Sequence, residues 1–180
     1  KTLCYRSTSD ILGICQKKEH RLAELKLKEK SLILIAESLE KPGNIGALAR
    51  TVDAAKIDAM IIIDPRTDLY NPNVIRSSVG CLFSIPIVIA TQDEVFSFIE
   101  FKNIKLFSAA LSEKSKSYTS ENYTSSTAIA VGTEDKGLSE GWLHRSDNHI
   151  QIPMQGVNDS LNVSVAAGVI LFEAVRQRNL

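Results

Sequence analysis

The sequence carries no excess charge of either sign: 21 lysines and arginines face 21 aspartates and glutamates. Without a net positive field it cannot draw a polyanion from a distance, so any nucleic-acid site must be a local patch. Cysteine is scarce as well. Cys4, Cys15 and Cys81 are an odd count with no CxxC pair, which argues against a disulfide framework and a zinc site and favours a reducing cytoplasm. The longest apolar runs, such as Leu32 to Ala36, are far too short to cross a bilayer, and the N-terminus lacks a signal-peptide core. No membrane partner is expected. His20, His144 and His149 show no metal-ligand spacing, so no metal is expected either, and there is no P-loop or nucleophile elbow. The lone Trp142 reads as packing.

What is present suits one ordinary domain. The chain has 180 residues, 44% hydrophobic and 23% charged, enough to bury a core without staples. It starts at Lys1 rather than methionine, which leaves an upstream domain open. Ile11 to Lys28, after the cap-rich run Ser7 to Asp10, reads as an amphipathic helix with a solvated, mixed-charge face. From Ser31 onward, short apolar runs alternate with amphipathic or turn-rich segments. The runs are Leu32–Ala36, Ala59–Ile63, Ile85–Ile89, Lys105–Ala109, Ala128–Val131 and His149–Ile152. Most lack polar alternation, as strands covered on both faces by helices do, so a parallel α/β sheet is expected. Helices fit at Ile45–Ala55, Glu94–Phe101 and Val163–Arg178, and Ser112–Thr127, rich in serine and threonine, reads as a mobile loop.

Three segments could carry chemistry. ESLEKPGNIGALAR, Glu37 to Arg50, follows the first strand: Pro42 and Gly43 make a turn, Gly46 permits close backbone approach, and Arg50 falls about one and a half turns after Asn44. Asn44 could equally be a helix cap and Arg50 a surface charge. Strand, glycine turn, helix and a later Asp64 also outline a dinucleotide site, although GNIG lacks the G-x-G-x-x-G spacing. VGTEDKGL, Val131 to Leu138, puts Glu134 at the carboxyl end of a buried strand, where ligands bind in such sheets, or else in a solvated turn. The third segment leads from Ile152, Pro153 and Met154 into Asn158, Asp159, Ser160 and Asn162, more candidate caps than one helix needs.

Taken in order, Asn44 to Arg50 (NIGALAR), GTEDKGL and IPMQGVNDSLNVSVA resemble the three signature motifs of the SpoU (TrmH-like) family of RNA ribose 2′-O-methyltransferases, within the SPOUT superfamily. DLYNPNVIRSSVG, Asp68 to Gly80, is similar to a further family segment, and the resemblance spans roughly Leu32 to Arg178. It implies an α/β fold, a parallel sheet flanked by helices with a C-terminal deep trefoil knot, an exception to unknotted topology. Residues 31–180 would be the methyltransferase domain and residues 1–30 an N-terminal helical extension, with an upstream RNA-binding region left open.

The resemblance further implies S-adenosylmethionine, held in a bent form by backbone around Leu111, Gly132, Ile152, Met154 and Leu161. It implies a homodimer with the final helix and the first-motif helix near the interface, and tRNA or rRNA as substrate. Arg50 would serve a cofactor bound mainly by the other subunit. A ribose hydroxyl is a poor nucleophile until deprotonated, whereas a sulfonium methyl is already activated. Arg50 is the family's candidate for that step; being always protonated, it suits clamping a phosphate that takes the proton. Asn44, Glu134, Ser160 and Asn162 would orient Arg50, the ribose and the flanking phosphate. Two other readings stand beside this one: an RNA-binding protein of the same fold without turnover, and a dinucleotide-binding enzyme.

Overall fold

The computed structural model describes residues 16–133 and 135–179. Seven parallel strands form one sheet in the order β3-β2-β1-β6-β4-β7-β5. They are β1 (Leu32–Glu37), β2 (Ala59–Ile63), β3 (Ile87–Ala90), β4 (Lys105–Ala109), β5 (Lys116–Ser117), β6 (Thr127–Val131) and β7 (Asn148–Gln151). The apolar runs are strands because both sheet faces are covered, which leaves every residue of β1, β2 and β6 buried. Alternate side chains serve separate cores. Leu32, Leu34 and Ala36 pack with Ile129 and Val131 against one helical layer, while Ile33, Ile35, Ala128 and Ala130 pack against the other.

The first layer holds α1 (Pro42–Ala54), α2 (Pro72–Ser78) and α5 (Val163–Arg178); the second holds α3 (Gln92–Phe101) and α4 (Glu140–Arg145). Four of these five helices, α1, α2, α3 and α5, start on a local signal. Pro42 and Pro72 stand in the first turns of α1 and α2, and the Asn71 side chain caps α2. Thr91 and Glu94 form a reciprocal capping box on α3. Asn162 caps α5 by accepting from Ser164 N at 3.0 Å. The buried stripe of α5, Val163, Ala167, Ile170, Leu171 and Ala174, follows the helical period, and each large side chain in it contributes about 1.5–3 kcal/mol over exposure. Among the described residues no helix is long and apolar enough to cross a membrane.

Boundaries differ from expectation by a few residues. β3 begins at Ile87 rather than Ile85, since Pro86 has no N–H for the ladder, although its carbonyl accepts from Met60 N at 3.0 Å. The short helices α2 and α4 were not expected at all.

Two expectations are overturned. The helix over Ile11–Lys28 is absent where it can be judged: residues 16–30 hold no α-helix, only the 3-10 turn Leu22–Glu24 and a turn at Glu29 and Lys30 in otherwise irregular chain. Its first part, Ile11 to Cys15, and the cap run before it lie outside the described residues. A short isolated helix is marginal in water, and here an extended strap gains more. Leu22, Leu25 and Leu27 pack on the second core, His20 bridges Val88 on the β3 edge, and Lys28 pairs with Asp58 at 2.9 Å. Ser112–Thr127 is likewise no open loop. It supplies edge strand β5 and wraps the fully buried Tyr123, whose hydroxyl donates to Tyr118 O at 2.8 Å and whose ring lies 4.9 Å from that of Phe107. Buried Glu121 accepts from Asn148 Nδ2 at 2.6 Å in the same segment. Two tyrosines among hydroxyl residues leave no period to read, yet the buried one, Tyr123, anchors the whole stretch.

Candidate active site

From β1 the chain builds outward through β2 and β3, then returns through α3 to the other side, where β6 fills the gap between β1 and β4. In parallel sheets, ligand crevices open at the carboxyl ends of the strands beside such a reversal. A cleft of about 410 Å³ lies there, walled by Ala109 of β4, Val131 of β6 and Ile150 of β7, within the roughly 300–1,000 Å³ usual for small-molecule sites.

Two polypeptide segments complete the cleft. One is the turn after β6, which closes on itself: Thr133 N donates to Gly137 O at 3.1 Å, and Gly137 N donates back to Thr133 O at 3.0 Å. Glycine is required at both ends. A Cβ on Gly132 would stand 2.0 Å from Gly137 O, and Gly137 has a φ of +67°. The second segment runs from Ile152 to Leu161 and delivers Met154, Asp159 and Ser160 to the wall. All five residues expected around a cofactor, Leu111, Gly132, Ile152, Met154 and Leu161, line this one cleft, as does Ser160.

The other expected residues divide. Asn44 is the third residue of α1, not its cap, which is Lys41. Its Oδ1 accepts from Asn162 Nδ2 at 3.1 Å across 118 positions of sequence, tying α1 to the cap of α5 immediately after Ser160 and Leu161. Arg50 is exposed on α1 and does not line the cleft. Its charge is felt at Cys81, whose thiol is pushed up by burial first and by Asp53, with Arg50 opposing. Glu134 lies outside the described residues.

The dinucleotide outline loses its geometric basis. A Cβ at Gly46 would meet Ser77 Oγ at 1.9 Å and Ser78 N at 2.7 Å, so this glycine serves the contact of α1 with α2 rather than a phosphate. The Asp64 carboxylate is engaged by Arg66 at 2.8 Å and by the Ser38 hydroxyl at 3.3 Å.

Sequence reasoning passed over several contributors. Asp135 brings a carboxylate to the cleft beside that of Asp159, which the third segment had already offered, and the Thr133 hydroxyl is the main cause holding the Asp135 carboxyl below its ordinary range. Glu37, buried at the end of β1, accepts from Ser139 N at 2.8 Å and from Ser139 Oγ at 2.7 Å. A glutamate ending an otherwise apolar strand was the available signal, since a buried charge demands a partner.

A doubly wound parallel sheet with a cleft at its carboxyl edge, lined by three separated stretches of chain, defines a class of α/β proteins whose sites are built from returning loops. The model of the SpoU rRNA Methylase family matches residues 31–172, and the chain belongs to that family. It is 30% identical over 162 residues to the 23S rRNA (guanosine(2553)-2′-O)-methyltransferase RlmP of Bacillus subtilis, covering 90% of this chain and 63% of that protein. It is 35% identical over 155 residues to the tRNA (guanosine(18)-2′-O)-methyltransferase of Thermus thermophilus, covering 86% and 79% respectively. The crystal structure of the SpoU methyltransferase AviRb from Streptomyces viridochromogenes, in complex with the cofactor AdoMet, superposes with a TM-score of 0.84 at 32% identity, over 90% of this chain and 66% of that one. The chain spans 63% and 61% of the length of two of its curated relatives.

Proposed function

We propose that this protein is an S-adenosylmethionine-dependent methyltransferase that methylates a ribose 2′-hydroxyl in tRNA or rRNA. The observation that carries the reading is the cleft, where Leu111, Gly132, Ile152, Met154, Ser160 and Leu161 meet from three distant stretches of chain. Family membership and relatives named for ribose methylation of both RNA classes support it. The donor set fits the cofactor: apolar walls and backbone groups suit an adenosine, and the carboxylates of Asp135 and Asp159 suit a cationic methyl donor. When bound, the cofactor supplies a methyl group on positively charged sulfur, already activated for attack.

The protein's part is then binding, orientation and charge. Arg50 clamps a backbone phosphate next to the target ribose and stabilises the charge that develops as the hydroxyl loses its proton. Asn44 and Asn162, already joined, fix the start of α1 against the cleft wall, and Ser160 and Glu134 complete the polar set around the ribose. Because Arg50 does not line its own cleft, it serves the cleft of a second copy in a homodimer. The exposed apolar residues Val165 and Phe172, two turns apart on one face of α5, support such a seam. The return of α5 from β7 onto α1 and β6 supports passage of the C-terminal segment through a loop as a trefoil knot. Residues 31–180 form the methyltransferase domain, and the protein acts in the cytoplasm.

Transfer of labelled methyl from S-adenosylmethionine to unmodified RNA tests the reading. Arg50→Ala is expected to lower the rate about 10²- to 10³-fold, as loss of a preorganised charge donor does, while cofactor affinity measured by calorimetry stays close to wild type. Unchanged transfer in Arg50→Ala would overturn the mechanism. A wild-type protein that binds RNA but no cofactor would instead establish the reading without turnover.

A further inference from the structure

We propose that Glu37 is a positioning residue that holds the 132–138 wall of the cleft in its cofactor-ready shape. The inference rests on the reading of the cleft as a cofactor site and deepens it. Ala36 pairs in register with Val131, so Glu37 stands beside the point where β6 gives way to the turn. Its side chain is buried, and both carboxylate oxygens are used on one residue, Ser139, at 2.8 and 2.7 Å. Ser139 directly follows Leu138, which lines the cleft, and it begins α4. The carboxylate therefore ties the last residue of β1 to the far arm of the turn. The cross-bonds between Thr133 and Gly137 close the turn on itself but do not set its height over the cleft. Gln92 Nε2 adds a weaker hold on Ser139 Oγ at 3.3 Å. Glu37 also precedes Ser38, whose N–H donates to Ile63 O at 2.8 Å, and then α1 with Asn44 and Arg50. One buried side chain thus references the cofactor wall to the strand that launches the first motif.

Three variants separate positioning from bulk stability. In Glu37→Gln the amide oxygen still accepts from Ser139 N–H, and the amide nitrogen donates to Ser139 Oγ, so the geometry survives without the charge. Glu37→Ala loses both bonds, and Ser139→Ala loses one. For Glu37→Ala we expect S-adenosylmethionine binding, by calorimetry, to weaken about tenfold, with the rate at saturating cofactor within about twofold of wild type. Hydrogen exchange of the Thr133 and Gly137 amides should accelerate about tenfold while the strands of the sheet keep wild-type protection. Glu37→Gln should restore both readouts to near wild type. The proposal is overturned if folded Glu37→Ala keeps wild-type affinity and exchange, or if exchange accelerates evenly over the whole molecule. Should Glu37→Ala fail to fold, Ser139→Ala decides by the same two readouts with a smaller shift. If wild type binds no cofactor, the function proposed above fails, and exchange at residues 133–137 still tests Glu37.

Discussion

Replacing Gly46 by alanine adds one methyl group where α1 crosses α2. Intrinsic helix propensity favours the change by about 1 kcal/mol. Against it, the new Cβ would stand 1.9 Å from Ser77 Oγ, 2.7 Å from Ser77 Cβ and 2.7 Å from Ser78 N. Rotating Ser77 does not relieve this, because Cβ and backbone cannot turn away and the hydroxyl is committed to Asn73 O at 2.7 Å. The two helices must separate, and overpacking of this kind costs about 1–3 kcal/mol, at the upper end where backbone is the obstacle. The net expectation is a loss of about 1–2 kcal/mol, or roughly 2–8 °C in melting temperature for a chain this size. Gly43→Ala is the internal control: it lies in the same helix with nothing within 4 Å of the added Cβ, so it should melt at or slightly above wild type. Thermal unfolding followed by circular dichroism reads both. If Gly46→Ala melts as high as Gly43→Ala, close helix approach is not what this glycine provides.

Tyr123→Phe removes a hydroxyl that donates to Tyr118 O at 2.8 Å from a fully buried ring, and urea unfolding should show a loss of about 1–2 kcal/mol; no change would mean that residues 112–127 do not depend on this anchor. The Arg176 guanidinium, with Gln177 second, holds the Glu173 carboxyl down to about 2. The folded state therefore binds this proton less readily than the unfolded chain, so the stabilisation is complete above about pH 4.5 and fades as pH falls toward 2. Glu173→Gln should flatten that part of the stability profile and leave neutral-pH cofactor binding alone, whereas an unchanged acid limb would refute the assignment.

Much of the fold is legible in one dimension. The β1, β2 and β6 runs are apolar without alternation because both of their faces are covered, and α3 and α5 announce themselves through Thr91 with Glu94 and through Asn162. The motifs NIGALAR, GTEDKGL and IPMQGVNDSLNVSVA could be singled out in order, and the glycines within them follow from backbone sterics that any reader of the sequence can anticipate.

Other features needed the folded chain. The Lys- and Glu-rich stretch ahead of β1 has helix-forming residues, but the edge of β3 and the second core offer an extended strap more burial than an isolated helix could gain. Tyr123 lacks an apolar neighbourhood in sequence and finds one only against Phe107. The bonds Asn162–Asn44 and Ser139–Glu37 span 118 and 102 positions, and the placement of Arg50 away from its own cleft depends on which helix packs where. Periodicity and capping act within a few residues and so are written locally. Which partner satisfies a buried carboxylate, and which motif faces which, is decided when the sheet order β3-β2-β1-β6-β4-β7-β5 brings distant ends together.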